Sequence, residues 1–242
     1  MSEDQTGIWN RQYTEFFHRQ RLWPAEELIG FIHGHYEHQP PNRESILEIG
    51  CGLGGNLLFL GTSGFTVFGI DLTMAAVKVA TERLSKVLPS ERFIVGVENV
   101  LNATELGGVG AVYQKTGRYH GIVDIRTGQH LMWRQHAPLY NHYHNLLLPG
   151  GWFFTLHLVQ GTYDFSLYQD HELPDRYTVG LNDHSEAIFR HCGTLCMPEA
   201  EVLESQITSS GFSILSHESI RRSYQDRSKW AMYSAIGAQR RD

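Results

Sequence analysis

Apolar residues along this chain fall into short continuous runs, separated by glycine-rich or amphipathic stretches. That is the pattern of strands buried on both faces alternating with helices. The first run, Ile46-Leu47-Glu48-Ile49, passes through Gly50-Cys51-Gly52-Leu53-Gly54-Gly55 into the helical pattern Asn56-Leu57-Leu58-Phe59-Leu60. The second, Phe65-Thr66-Val67-Phe68-Gly69-Ile70, ends on Asp71. Thr73 is placed to N-cap a helix reaching about residue 88, with Ala75, Ala76, Val79, Ala80 and Leu84 as its buried stripe. A third strand is expected over 92–95, a fourth over 121–125, a helix over 140–148 broken by Pro149-Gly150-Gly151, and a fifth strand over 152–158. Pro198 opens a further helix through Val202, Leu203 and Ile207, followed by strands over 213–218 and 229–236. Strands alternating with helices imply an α/β fold with one seven-stranded, mostly parallel sheet flanked by helices.

Two stretches depart from this alternation. Near the start, Trp9, Tyr13, Phe16, Phe17 and Trp23 place aromatic rings along one helical face, and Pro24 starts a second helix. Between 160 and 194 the periodicity fails and the composition turns polar and aromatic. A connection this long inside a compact domain is usually a functional cap. Trp9, Tyr13 and Phe17 in the first stretch, with Tyr163, Tyr168 and Tyr177 in the second, are the candidate substrate-binding rings.

The residues 45–71 carry the chemistry. Glycines at alternate positions let the backbone turn sharply and approach a ligand where a Cβ would collide. Asp71, at the end of the second strand, suits the two hydroxyls of a ribose. Gly50, Gly52 and Gly55 also satisfy the G-x-G-x-x-G spacing of dinucleotide-binding folds. Glu48 separates the two cases, because a carboxylate ahead of the first glycine repels a pyrophosphate but holds an ammonium group, directly or through water.

On Glu48, Gly50, Gly52 and Gly54 the chain resembles the class I, Rossmann-like S-adenosylmethionine-dependent methyltransferases of the small-molecule type. The strand, helix, Leu-Leu-Pro-Gly-Gly, strand sequence is similar to the fourth and fifth motifs of that class, and the stretch 119–151 weakly resembles the thiopurine and thiol methyltransferase branch. The resemblance implies one methyltransferase domain over 1–242. Residues 1–42 would form a helical lid, 43–158 the S-adenosylmethionine-binding core, 159–197 a cap insertion and 198–242 a closing helix and strands. It implies S-adenosylmethionine as cosubstrate, held by Glu48, Gly50, Cys51, Gly52, Gly54, Asn56, Asp71, Leu72 and Asp124. Glu98 and Asn99 compete for the adenine amino group. It also admits a second chemistry on the same fold, a cyclase or lyase that uses S-adenosylmethionine itself and releases methylthioadenosine. Asp124-Ile125-Arg126-Thr127 stands where the amide-nitrogen and adenine methylases carry Asn-Pro-Pro-Tyr, which argues against those.

Methyl transfer needs alignment more than proton transfer, but an alcohol or phenol acceptor must lose a proton, and a histidine suits that. Among fourteen histidines, His130 and His157 fall near the carboxyl ends of the fourth and fifth strands and are candidate catalytic groups, with Asp124 a third. No metal site is expected, since Cys192 and Cys196, four apart, have no further ligand at metal spacing.

Composition adds bounds. The 242 residues suffice for one α/β domain, and 20 basic against 26 acidic side chains leave a formal charge of −6 with no basic tract. A small-molecule substrate is therefore favoured over nucleic acid. Three cysteines argue against a disulfide framework, and the polar start with no long apolar run points to a cytoplasmic protein, monomer or homodimer, away from membranes.

Overall fold

The computed structural model describes residues 5–15, 22–37, 43–101, 118–168, 175–180, 186–224 and 228–242. Their centre is a seven-stranded sheet in the order β3-β2-β1-β4-β5-β9-β8. Its strands are β1 (Ser45–Ile49), β2 (Thr66–Asp71), β3 (Phe93–Val97), β4 (Tyr119–Ile125), β5 (Leu147–Leu158), β8 (Phe212–Tyr224) and β9 (Lys229–Arg240). β1 through β5 pair in parallel, while β9 runs antiparallel to β5 and to β8. β1 is buried at every position and β2 from its second residue on, as expected for strands covered on both faces. The order reverses between β1 and β4, which opens a crevice beyond their carboxyl ends.

Helices cover both faces. One layer includes α2 (Glu26–His35), whose Leu28 and Ile32 are buried and whose Phe31 stacks on Phe154 with ring centroids 5.0 Å apart. Each such aliphatic burial is worth roughly 1.5–3 kcal/mol. α3 (Gly55–Thr62) buries Leu57 and Leu60 in the same core, next to Phe65 and Val67. α5 (His136–Leu146) packs on the opposite face with Tyr140 and Tyr143 against Phe153, joined there by Leu203 and Ile207 of α7 (Ala200–Ser209). α1 (Gln5–Thr14) buries only Ile8 and lies against α4 (Met74–Ser85).

Several elements differ from expectation. In α4 the core-facing residues are Ala76, Val77, Ala80 and Leu84, so Val77 replaces Ala75 and Val79 in the stripe. Thr73 does cap the helix, its hydroxyl accepting from Ala76 N at 3.3 Å. α5 starts at His136, and Pro149-Gly150-Gly151 lies inside β5 as a bulge of that strand: Tyr119 pairs with Leu147 and Gly121 with Trp152, which leaves residues 148–151 as the surplus. The closing hairpin of β8 and β9 is much longer than its periodicity indicated, since β8 is an edge strand with polar side chains on most positions. The stretch after β5 has structure of its own: α6 (Tyr163–Ser166) and a two-stranded sheet of β6 (Thr178–Gly180) and β7 (Thr194–Cys196). Asp164 anchors it from full burial, accepting the backbone N–H of Ile188 at 2.7 Å and of Phe189 at 2.8 Å. Cys196 is buried in β7, so Cys192 and Cys196 do not share a helix face. No helix among the described residues is long and apolar enough to cross a membrane.

Candidate functional site

A cavity of about 330 Å³ opens at the carboxyl ends of β1, β2 and β4. Its floor is the turn after β1. Gly50, Gly52 and Gly54 adopt φ of 66°, 50° and 74°, a left-handed geometry that glycine takes without strain. At Gly50 the space a Cβ would need is filled by Thr127, whose hydroxyl donates to Ile49 O at 3.0 Å and ties the β4 turn to β1. At Gly52 the Tyr13 hydroxyl sits 3.0 Å from the Cβ position. Gly54 does not reach the cavity. Its missing side chain instead admits Ala80 of α4 at 3.0 Å, so it serves helix packing and not ligand contact.

Two buried carboxylates define the chemistry of this end. Asp71 accepts Gly52 N at 2.9 Å through Oδ2, and Thr73 N and Oγ1 at 3.0 and 3.1 Å through Oδ1. Burial pushes its pKa up while these donors pull it back, and Oδ2 keeps a lone pair for a ligand hydroxyl. Glu48 accepts Asn56 Nδ2 at 2.6 Å through Oε1, while Oε2 is buried with no hydrogen-bond partner among the described residues. Burial, opposed by the Asn56 bond and by the nearby Leu57 N–H, which falls short of hydrogen-bond geometry, and reinforced by Asp71, raises the Glu48 pKa to about 8. An orphaned buried carboxylate oxygen calls for a cation or a donor beside it. Asn56 itself is fixed by accepting Ala25 N at 2.8 Å, and Arg83 pins the loop by donating to Leu53 O at 2.6 Å and Leu22 O at 2.8 Å. Cys51 and Leu72 line the cavity, as do Glu98 and Asn99 past β3, where Asn99 Oδ1 is engaged by Leu101 N at 3.0 Å.

Beyond β4 the outcome diverges from expectation. Asp124 does not line the cavity: Oδ1 accepts Thr127 N at 3.1 Å and Gly128 N at 3.0 Å, and Oδ2 accepts the Tyr143 hydroxyl at 3.0 Å. It caps the turn and holds α5, so the structure places it away from the ligand and catalytic positions expected for it. His157 is likewise sealed in the core, with Nδ1 at 2.7 Å from Leu158 O and Nε2 at 3.1 Å from His136 Nε2. Burial pushes its pKa down to about 3. Its alternation along β5 turns it away from the crevice, so it is no candidate base.

His130 does face the cavity. Its Nδ1 lies 3.2 Å from Thr194 O, which only accepts, so Nδ1 carries the proton and Nε2 is left as an acceptor. Burial lowers its pKa to about 4 and keeps the ring neutral. Trp9 packs edge-on to it at 4.8 Å. Trp9 and Tyr13 both line the cavity, and burial beside Asp71, Cys51 and Glu48 pushes the Tyr13 hydroxyl far up. Phe17 lies outside the described residues. The three cap tyrosines are not at the cavity. Tyr163 packs on Trp230 under Lys229, Tyr177 on Trp133 under Arg176, and Tyr168 on the main core, so all three anchor the insertion. The insertion contributes Phe189 and Cys192 instead, and the β4 turn adds Arg126, Gln129 and Leu131. No periodicity marked these residues; the only sequence signal was the position of Arg126, Gln129 and Leu131 after the end of β4.

Solved structures share this architecture. The chain aligns over 99% of its length with 96% of a methyltransferase from Anabaena variabilis, at 16% identity and a TM-score of 0.68. The fold is that of the class I methyltransferases. A 1,6-didemethyltoxoflavin-N1-methyltransferase from Burkholderia thailandensis, solved with its substrate and S-adenosylhomocysteine, matches over 98% of this chain and 87% of its own, at 14% identity and a TM-score of 0.67. The cyclase SpnF matches over 89% of this chain and 80% of its own, at 12% identity and a TM-score of 0.61. No family model and no curated protein matches the chain. At these identities the likeness is one of fold, and a fold hosts more than one reaction.

Proposed function

We propose that this protein is an S-adenosylmethionine-dependent methyltransferase acting on a small molecule at oxygen, nitrogen or sulfur. The observation that carries the reading is the pair of carboxylates at the ends of adjacent strands. Asp71 is held by three donors with a lone pair to spare for ribose hydroxyls, while Glu48 keeps one buried oxygen without a partner, suited to the ammonium of an amino-acid arm. Bound there, S-adenosylmethionine supplies a methyl group on a sulfonium centre. This chain's residues align it: the glycine turn admits the backbone close to the nucleoside, Leu72, Glu98 and Asn99 flank the adenine side, and the rings of Trp9 and Tyr13 exclude water over the sulfonium. His130 presents Nε2 to the acceptor side, where it accepts a hydrogen bond from an acceptor hydroxyl or amine. A pKa near 4 makes it a weak base, so its contribution is orientation first and proton acceptance second. The likeness of residues 119–151 to the thiopurine branch makes a sulfur acceptor one form of this reading.

Titration of the protein with S-adenosylmethionine and S-adenosylhomocysteine tests the site, and Asp71→Ala and Glu48→Ala are expected to weaken both. The absence of binding by the unaltered chain overturns the proposal. Product analysis then separates the reactions: S-adenosylhomocysteine marks methyl transfer, whereas methylthioadenosine from S-adenosylmethionine alone marks cyclisation or cleavage.

A further inference from the structure

We infer that Arg126 recognises a carboxylate on the acceptor, so that the substrate is an organic acid; this rests on the methyltransferase reading of the cavity. Arg126 follows β4 directly and has φ 65°, a left-handed conformation that L side chains other than Asn and Asp rarely adopt. Its N–H donates to Leu156 O at 2.9 Å, which holds the kinked backbone against β5. The kink sends the side chain across the sheet, and the guanidinium carbon lies 4.8 Å above the ring of Tyr233 in β9. Strand order places β9 three strands from β1, about 14 Å at ~4.8 Å per strand. The charge therefore sits on the acceptor side of the cavity, away from Glu48 and Asp71.

Among the described residues the charge is also uncompensated. Arg222, the other arginine on the Tyr233 ring, pairs with Glu27, but Arg126 has no ion pair and no side-chain hydrogen bond among the described residues, and its Nε is buried without a partner. Arg126 lines the cavity, and with Nε buried its two terminal nitrogens remain as donors, which a planar two-oxygen anion matches through two parallel bonds. Gln129 and His130, on the same turn, extend the arrangement. Gln129 lines the same cavity; its Oε1 accepts Leu158 N at 3.3 Å, and its amide NH₂ has no hydrogen-bond partner among the described residues. One unpaired cation calls for one negative charge, which favours a carboxylate over a phosphate dianion.

The test uses the full chain saturated with S-adenosylhomocysteine, titrated calorimetrically with 4-hydroxybenzoate, salicylate and indole-3-acetate, each beside its carboxamide. At least one acid should bind about 10-fold more tightly than its amide, a preference that Arg126→Gln removes and Arg126→Lys retains in part. Thermal melts establish that both variants fold. If no acid is preferred to its amide, or if the preference survives in Arg126→Gln, the inference is overturned. Should Arg126→Gln weaken S-adenosylhomocysteine but not methylthioadenosine, the arginine holds the donor's own carboxylate and the acceptor assignment is overturned too. A failure of the underlying reading looks different, because the unaltered chain would then not bind S-adenosylhomocysteine at all.

Discussion

The carboxyl ends of β1 and β2 and the carboxyl ends of β4 and β5 carry the same kinds of side chain and use them in opposite ways. On the β1–β2 side, Glu48 and Asp71 are buried acids that face the cavity, and one of their oxygens is left without a partner. On the β4–β5 side, Asp124 and His157 are as deeply buried, but the Asp124 oxygens are spent on the backbone of the next turn and on Tyr143, and His157 is closed in by Leu158 O and the His136 ring. Depth of burial is thus no guide to function here. What distinguishes the two regions is whether hydrogen-bonding capacity is left over and whether it points at the crevice.

Substitutions that separate stability from binding can break this comparison. Asp124→Ala should cost about 3 kcal/mol of stability by orphaning two N–H groups and the Tyr143 hydroxyl. Denaturant unfolding gives that figure, and S-adenosylhomocysteine affinity should stay within about 3-fold in the folded protein, an unchanged affinity corresponding to under ~1 kcal/mol. A large loss of affinity would return Asp124 to the site. Asp71→Ala should do the reverse on binding, weakening S-adenosylhomocysteine about 100-fold, the equivalent of two hydrogen bonds to a charged group.

A pH experiment sharpens the role of Glu48. Its folded pKa is raised from 4.5 to about 8, so the ligand-free protein draws stability from this group that is full below 4.5 and is lost as pH rises through 8. Pairing with an ammonium favours the ionised form. Binding of S-adenosylhomocysteine at pH 7 should therefore release close to one proton, read from calorimetry in phosphate and in Tris, and Glu48→Gln should abolish the release. An equal binding enthalpy in the two buffers would mean that no ammonium docks there. The smallest effect concerns the cap: Tyr163→Ala removes a ring between Trp230 and Lys229, for about 0.5–1 kcal/mol of stability. A rise in acceptor KM in that variant would restore the tyrosine to the substrate site.

Legibility followed the range of the interactions. The glycine turn, Glu48 and Asp71 were readable because strand, turn and helix lie within twenty-seven residues and the turn imposes its own backbone geometry. The cap tyrosines and the fifth-strand histidine lie away from the cavity because contacts such as Tyr163 with Trp230, or His157 with His136, join residues whose pairing no local period encodes. The place of Arg126, Phe189 and Cys192 on the cavity wall was not legible for the same reason.

By itself, the sequence determined that strands alternate with helices and that a nucleoside-sized turn with two carboxylates lies between the first and second strands, since apolar period and glycine φ are local properties. Only the tertiary structure decided which polar groups have bonding capacity left. A side chain is free or spent according to what the rest of the fold brings to it, and at β4 and β5 the fold took up the Asp124 oxygens and closed off His157, while among the described residues it left Arg126 without an acid and His130 Nε2 without a hydrogen-bond partner.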